Sequence, residues 1–297
     1  MLKKKNAVVI FLGPAILLYI LVFLYPAIRT VIMSFFDVKN ITSAVSDWGF
    51  VGVQNFTKLF DTRLFIESLK NISKIWLWDG IATILLSLLT AVILTSNIKW
   101  KKFFRAIIYL PNVIAAIAVG YMWILYVFNN KFGMLTTLFA KLGMEKLAAI
   151  QWTDQQHLFF SMSIAYVFCN IGYYMLIYVA AIEKIPGDYY EAANIEGASP
   201  IRCFFSITLP LIKSVFATSL VLWTTRVMGF FELSLVFSDI TTVTPMVYTY
   251  NALFGTEQSV VGMNVGVAAA SAVIMTVLVM MAFLLFTKLI KEENHEM

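Results

Sequence analysis

Residues 188–210 read DYYEAANIEGASPIRCFFSITLP, a polar, helix-forming stretch between two long apolar segments. Polar connections between apolar segments are commonly short and irregular. This one has an acidic start, small residues in its middle and aromatic residues after them. That composition is typical of a helix that docks onto a protein, so it indicates a membrane protein acted on by a soluble partner.

The signals at the start of this stretch predict a short helix over 189–196. Pro186 and Gly187 are expected to end the preceding apolar helix, because proline lacks a backbone donor and glycine is flexible. Asp188 takes the place of an N-cap or first-turn acid, and Glu191 follows three residues later, as in a capping box. Small residues and a proline then stop the helix, and a second helical stretch begins.

An amphipathic helix lying on the lipid surface is the alternative interpretation of this loop. Arg202 is the only positive charge between Lys184 and Lys213, so anionic lipid would find little to bind. The alanines at 192–193 and Gly197 instead give a low-relief surface that suits close packing in a protein groove. The loop therefore favours a protein partner.

The composition places most of the chain in lipid. Of its 297 residues, 60% are hydrophobic and 13% charged, and its mean hydropathy is +0.82. A soluble domain carries about 25% charged residues, so a water-exposed surface of this composition would aggregate. The net charge of +5 does not indicate nucleic-acid binding, because the basic residues cluster at the ends of apolar runs.

Metal and redox chemistry are not indicated by the sequence. The chain has two cysteines, Cys169 and Cys203, and two histidines, His157 and His295. None of them has a partner at metal-ligand spacing. We interpret both cysteines as small packing residues and predict neither a metal site nor a cofactor in this chain.

Six segments are long and apolar enough to cross a bilayer as helices, which takes about 20 residues each. They lie at about 7–28, 72–95, 106–128, 158–182, 212–237 and 264–287. The first follows three lysines, as a signal peptide would, but it is too long and lacks a cleavage site, so we expect an uncleaved span. The sequence thus predicts an all-α membrane protein with a single domain over 1–297 and a polar loop at 183–211.

The distribution of Lys and Arg predicts that both termini are cytoplasmic. The 96–105 loop carries four basic residues, whereas 238–263 carries none. The 183–211 loop is then cytoplasmic as well, and 30–70 and 129–157 are external. Near-helical spacing of apolar residues predicts one or two short surface helices within 30–70.

Apart from lysines within three residues of a span's start, three charged residues fall inside predicted spans: Asp79, Arg226 and Glu232. A charge there costs about 3 kcal/mol or more unless it is paired or hydrated. Arg226 and Glu232 are six residues apart and share no helix face, so Asp79 is an equally good partner. Two interpretations stay open: a buried ion pair, or a wet cavity where Arg226 meets a hydroxyl-rich or acidic substrate.

Aromatic and amide side chains follow one face of the fourth span. Tyr166, Asn170 and Tyr173 are spaced by four and three residues, which puts them on the same side of a helix. Sugars are held by aromatic ring faces and by amide and hydroxyl groups. This face is a candidate sugar path, and packing between helices is the alternative.

The polar loop closely resembles the EAA loop of membrane subunits in bacterial ABC importers. The matching residues are Glu191-Ala192-Ala193, Gly197, Ile207 and Leu209-Pro210. The order of the surrounding segments is similar to the carbohydrate-uptake branch, which includes the maltose and glycerol-phosphate permeases. The residues that carry this similarity are Gly13-Pro14, Val51-Gly52, Asn55-Phe56, Leu110-Pro111 and Ile185-Pro186.

The resemblance implies the type I ABC importer permease fold in a bacterial plasma membrane. It implies a pore-forming subunit that imports a sugar or oligosaccharide, or alternatively a polyol, glycerol phosphate or acidic oligosaccharide. The partners would be a second homologous permease, two cytoplasmic ATPase subunits that bind ATP and Mg²⁺, an external solute-binding protein and membrane lipid. The chain would not be an enzyme itself, and it has no G-x-x-x-x-G-K-[ST] run.

The resemblance also assigns residues to two sites. The loop would seat in a cleft of the ATPase through Asp188, Tyr190, Glu191, Ala192, Ala193 and Gly197, with Glu191 as the polar contact. Positions that contact sugar in the maltose permease correspond to Tyr166, Asn170, Tyr173, Trp223, Val227 and Phe230. Arg226 joins them as a candidate anchor because of its charge.

An ion-coupled secondary transporter is the alternative from another class. It would predict a relay of acids or histidines in the membrane, and too few are present. A membrane enzyme is less well supported, because no nucleophile–base pair or metal-ligand set is evident.

Overall fold

The computed structural model describes residues 4–255 and 263–293, and its regular structure is almost entirely helical. The α-helices are Lys4–Tyr19, Tyr25–Met33, Gln54–Asp61, Arg63–Lys74, Gly80–Thr95, Lys101–Val113, Ala116–Met122, Met134–Lys141, Glu145–Ala148, Leu158–Ile182, Gly187–Ile195, Pro200–Cys203, Leu209–Leu211, Lys213–Met228, Glu232–Val236, Pro245–Phe254 and Val265–Glu293. Five-residue π-helical turns lie at Ile20–Leu24, Ile75–Asp79, Trp123–Val127 and Phe204–Thr208, and a 3₁₀ turn at Val45–Asp47. The predicted all-α fold class is confirmed.

Six membrane crossings can be built from the described helices. Five are long and apolar enough to cross alone: Phe11–Met33, Arg63–Thr95, Leu158–Ile182, Lys213–Val236 and Val265–Phe286. The sixth would be a bent pair, Lys101–Val113 with Ala116–Val127. Together they overlap all six segments that hydropathy predicts.

The third crossing is sharply bent. Its two halves meet at 99°, at a break formed by Ile114 and Ala115. Both residues have extended backbone, with ψ of 142° and 126°, so the hydrogen-bond ladder of the helix cannot continue through them. Pro111, inside the last turn before the break, already removes one backbone donor. The sequence predicts a span here, and the structure divides it in two.

The second membrane helix begins well before the apolar segment predicted at 72–95. Its first part, Arg63–Lys74, continues through a π-helical turn into Gly80–Thr95. Only Thr62, whose backbone is extended, separates it from Gln54–Asp61. One of the short surface helices expected in 30–70 is therefore separate, and the other is the start of a membrane helix.

The described residues form two compact units. The first contains 1–66 and 245–278. In it, the short strands Phe36–Asp37 and Gly49–Phe50 pair antiparallel, with Phe36 opposite Phe50. The buried amide of Asn55 donates to the carbonyls of Ser34 and Phe36, at 3.0 and 2.9 Å, and so fixes the chain ahead of this ribbon.

The second unit contains 67–244 and 279–297, and its core lies between the second, fourth and fifth membrane helices. The side chain of Trp223, on the fifth helix, packs against Gly80 on the second helix. Its indole N–H donates a hydrogen bond to the carbonyl of Trp76 at 2.9 Å. Gly172 on the fourth helix packs against the backbone of Ile108 and Tyr109. Small residues at these crossings allow close approach of helices, as is usual in membrane proteins.

Candidate functional site

The polar loop contains two short helices, as the sequence predicts. The first spans Gly187–Ile195, and it ends where Gly197 adopts a φ of +74°, a left-handed conformation that favours glycine. Asp188 lies in the first turn, but Pro186 occupies the N-cap and no side chain caps the helix. The capping box expected from the sequence is therefore absent, because the helix begins at Gly187, two residues earlier than the capping box requires.

The second helix is Pro200–Cys203, and it is capped by Ser199. The hydroxyl of Ser199 accepts a hydrogen bond from the backbone N–H of Arg202 at 3.3 Å. The two halves of the loop are joined by a hydrogen bond of 2.8 Å between the hydroxyls of Tyr190 and Thr208. The first helix is thus attached to the segment that enters the fifth membrane helix.

Exposure divides the first loop helix into two sides. Tyr189, Glu191 and Ala192 are exposed, and the side chain of Ile195 is 85% exposed. Tyr190 and Ala193, three residues apart, are half-buried and form the inner side. The exposed side combines apolar and acidic groups on a narrow helix. From the sequence, Ala192 and Ala193 are expected to form one contact surface. In the structure, only Ala192 lies on the exposed side of the helix.

The Tyr190→Phe variant tests the link between the halves of the loop. It removes a hydrogen bond with a net contribution of about 1 kcal/mol but keeps the ring, so the protein should fold. If the loop couples transport to an ATPase, as its resemblance to the EAA loop implies, transport should fall about two- to fivefold. The ATP hydrolysed per solute transported should rise, measured in proteoliposomes. Tyr189→Phe, which alters an exposed neighbour, should leave that ratio unchanged.

A cavity of about 270 Å³ lies between the third, fourth and fifth membrane helices. It is lined by Ala116, Tyr166, Cys169, Asn170, Arg226, Gly229, Phe230, Glu232 and Leu233. Four of the seven residues that the sequence selects for the substrate path are in this set: Tyr166, Asn170, Arg226 and Phe230. We call it the transport cavity.

Arg226 makes no salt bridge with Asp79 or Glu232 in the described residues. Its guanidinium lies over the ring of Tyr173, 5.1 Å from the ring centre, in a cation–π contact. The side chain is otherwise exposed on the cavity. Neither buried ion pair considered from the sequence is formed.

Two polar atoms on residues that line the transport cavity have no hydrogen-bond partner in the part of the chain that is described. They are the hydroxyl of Tyr166 and the amide oxygen of Asn170, both on buried side chains. The amide nitrogen of Asn170 donates to the carbonyl of Tyr166 at 2.8 Å, which leaves the oxygen free to accept. Buried polar atoms are normally paired, so these two are suited to bind the hydroxyls of a ligand.

Three of the residues selected from the sequence lie away from the cavity lining. Trp223 and Val227 are buried in the helix core, where the Trp223 indole donates a hydrogen bond to the carbonyl of Trp76. Tyr173 contacts Arg226 but does not line the cavity. Cys169, interpreted from the sequence as a packing residue, and Glu232, considered only as an ion-pair partner, both line the cavity. Cys169 lies three residues from Tyr166 on the same helix face, which is the signal that could have identified it.

Residues 83–292 match the family described as the binding-protein-dependent transport system inner membrane component. This match covers more than half of the chain, and the chain belongs to that family. It is therefore a permease subunit of an ABC transporter and a multi-pass membrane protein, as the EAA loop predicts. Permease subunits of this class are not themselves enzymes.

Two relatives and one solved structure illustrate the family. The chain is 29% identical over 219 residues to the diacetylchitobiose uptake system permease protein of Streptomyces coelicolor, which covers 70% of this chain and 61% of that protein. It is 27% identical over 271 residues to the sn-glycerol-3-phosphate transport system permease protein of Escherichia coli O157:H7, covering 90% and 88%. A bacterial ABC transporter involved in the import of the acidic polysaccharide alginate has the same fold, with a TM-score of 0.80, 19% identity, and coverage of 97% and 96%.

Proposed function

We propose that this chain is the pore-forming permease subunit of an ATP-driven importer for a sugar or oligosaccharide. It would work with a second homologous permease, a pair of cytoplasmic ATPase subunits that bind ATP and Mg²⁺, and an external solute-binding protein. The family to which the chain belongs depends on binding proteins. Relatives named for diacetylchitobiose and glycerol phosphate support a hydroxyl-rich solute.

The transport cavity is the observation that carries this proposal. Its unpaired Tyr166 hydroxyl and Asn170 oxygen match the hydroxyl groups of a sugar, and the ring of Phe230 offers an apolar face for stacking. Arg226 lines the cavity and is exposed, so the cavity is not closed by this chain alone. A second permease on that side would complete the pathway.

An acidic oligosaccharide or a phosphate ester is the second candidate solute. The observation that favours it is the guanidinium of Arg226, which has no carboxylate partner among the described residues and faces the cavity. Arginine binds carboxylates and phosphates through paired hydrogen bonds. Glu232 on the same cavity favours solutes that also carry hydroxyl donors.

We further propose that the polar loop and both termini are cytoplasmic. The pattern of basic residues supports this, and so does an ion pair between Arg105 and Glu183, whose nitrogen and oxygen are 2.5 Å apart. Such a pair requires that the 96–105 loop and the polar loop lie on the same side of the membrane. In this orientation the exposed side of the first loop helix faces the ATPase.

The test of the proposal is the ATPase activity of the reconstituted complex, with its binding protein, across a panel of neutral and acidic sugars. Stimulation by neutral oligosaccharides supports the first candidate, and stimulation by uronates or phosphate esters alone supports the second. An intact complex that no sugar, polyol or phosphate ester stimulates would contradict both.

The Arg226→Gln variant distinguishes the two candidates. For an acidic solute, loss of a charge-assisted contact should raise the KM for uptake about tenfold or more. For a neutral solute the KM should change less than about threefold, because glutamine can still bond a hydroxyl. The variant retains a long polar side chain, and Lys131→Gln, at an exposed position outside the cavity lining, serves as a control for lost charge.

A further inference from the structure

A second cavity, of about 640 Å³, lies between the second, third and fourth membrane helices and shares no lining residue with the transport cavity. It is lined by Trp78, Asp79, Ala82, Leu86, Trp123, Phe159, Phe160, Ser163, Ile164, Val167, Phe168 and Ile171. We call it the lateral cavity. Its volume falls in the range of sites for drug-sized ligands, about 300–1,000 Å³.

Three buried polar groups in the lateral cavity have no hydrogen-bond partner within the described residues. They are a carboxyl oxygen of Asp79, the hydroxyl of Ser163 and the indole nitrogen of Trp123. Their side chains are only 3%, 8% and 9% exposed. The hydroxyl of Ser163 is close enough to act on the carboxyl of Asp79 as a hydrogen-bond donor, but neither group reaches full hydrogen-bond geometry, so the two are neighbours that do not satisfy each other. Unpaired polar groups cost about 1–3 kcal/mol each when buried, and three in one apolar cavity indicate a missing partner.

The chemistry of these groups defines the partner. A carboxylate only accepts hydrogen bonds, an indole only donates them, and a hydroxyl does both. A carboxyl group this deep in a membrane protein is best stabilised by a positive charge. The complementary ligand therefore carries a cationic donor for Asp79 and an acceptor for the indole of Trp123, on a body that is otherwise apolar.

The walls of the cavity also suit a cation. Five of the lining residues are aromatic, and ring faces attract ammonium groups. The ring of Phe159 already has the ammonium of Lys74 over it, 5.5 Å from the ring centre. Lys74 makes no salt bridge with Asp79 in the described part of the chain, so it does not satisfy the carboxyl itself.

The rim of the cavity is apolar and exposed. Trp78 is 63% exposed, Phe160 58% and Phe168 42%, and all three lie on membrane-spanning helices. On membrane-spanning helices, an exposed aromatic rim suits contact with hydrocarbon rather than water. A ligand would therefore enter from the bilayer.

We propose that the lateral cavity binds a membrane-soluble amine, with its ammonium on Asp79 and Ser163 and its apolar body against the aromatic rings. The site is separate from the route of the imported solute. An amine seated there would contact the second and fourth helices together, and so would influence how they move.

The probe for this site is dansylcadaverine, a primary amine with an apolar fluorophore, and the matched neutral probe is its N-acetyl derivative. Both are titrated into the purified complex with its partner subunits, and dansyl fluorescence is excited through tryptophan. The amine should bind saturably, with at least about tenfold higher affinity than the neutral probe, as expected from one charge-assisted contact. This comparison needs no variant.

Two variants then locate the site. Asp79→Asn keeps the shape of the side chain and should reduce amine affinity about tenfold, to that of the neutral probe. Ala82→Trp should fill the cavity and abolish binding of both probes. Asp239→Asn, outside the cavity, is the control and should bind as the unaltered complex does.

Three results would overturn the proposal. One is equal affinity of the unaltered complex for the amine and its acetylated form. Another is binding that Ala82→Trp does not alter. The third is the absence of saturable binding in an assembled complex, which would assign the cavity to a basic side chain of the second permease.

Discussion

The Glu191→Lys variant is expected to abolish ATP-driven uptake while the permease still folds. Glu191 is exposed on the loop helix Gly187–Ile195, and its side chain has no hydrogen bond or ion pair to another described residue, so its replacement should not disturb folding. In the proposed complex it is the polar contact in the ATPase cleft. Reversing a charge in a desolvated interface costs about 2–5 kcal/mol, so ATPase association should weaken by a factor of about 100.

Co-purification of the ATPase subunits and uptake into proteoliposomes measure this effect. Glu145→Lys makes the same charge change on the short helix Glu145–Ala148, where the side chain is also exposed. It should leave both measurements unchanged. Full uptake by the Glu191→Lys complex would refute the role given to this residue and would direct attention to Tyr189 and Ile195 instead.

The Gly172→Ala variant is expected to have the largest effect on stability. A Cβ atom at this position would lie 2.3 Å from the carbonyl oxygen of Ile108 and 2.6 Å from the Cα of Tyr109. These are backbone atoms, so the fourth helix and the helix Lys101–Val113 would have to separate. Overpacking of this kind costs about 3 kcal/mol, which corresponds to a fall in Tm of roughly 10 °C.

Thermal unfolding of the purified complex, with yield as a second measurement, tests this expectation. Gly13→Ala is the matched control, because Gly13 also lies in a membrane helix and a Cβ there meets nothing within 4 Å. The Tm of the Gly13→Ala complex should not fall. An unaltered Tm for Gly172→Ala would mean that the close approach of the two helices is not required for folding.

Hydropathy suffices to predict the membrane helices because a bilayer imposes a minimum apolar length on each crossing. It does not predict the 99° bend in the third crossing. The hydropathy of the residues on either side of Ile114 is the same whether the backbone continues straight or turns. Pro111 indicates that the helix is disturbed at this point, because proline lacks a backbone donor. Proline alone does not determine the angle of a bend.

The candidate sites were predictable to different extents. The polar loop depends on local signals, so its helices appear close to where the sequence puts them; its contact with an ATPase stays a prediction. The environment of Arg226 depends on which helices are neighbours, and one sequence does not contain that information. Tyr173 and Arg226 were each selected, yet their stacking required the fourth and fifth helices to be placed side by side.

The π-helical turn Ile75–Asp79 has a practical consequence for mutagenesis of the second membrane helix. A π-helical turn accommodates one extra residue, which rotates everything after it by about 100° relative to a regular α-helix. A helical wheel drawn without interruption from Arg63 to Thr95 would thus misassign the outward and inward faces beyond Asp79. Cysteine scanning of this helix should use two wheels, one on each side of the turn. Deleting one residue of this turn other than Asp79 would give both halves of the helix a single register. Asp79 would then move away from its present place in the lining of the lateral cavity.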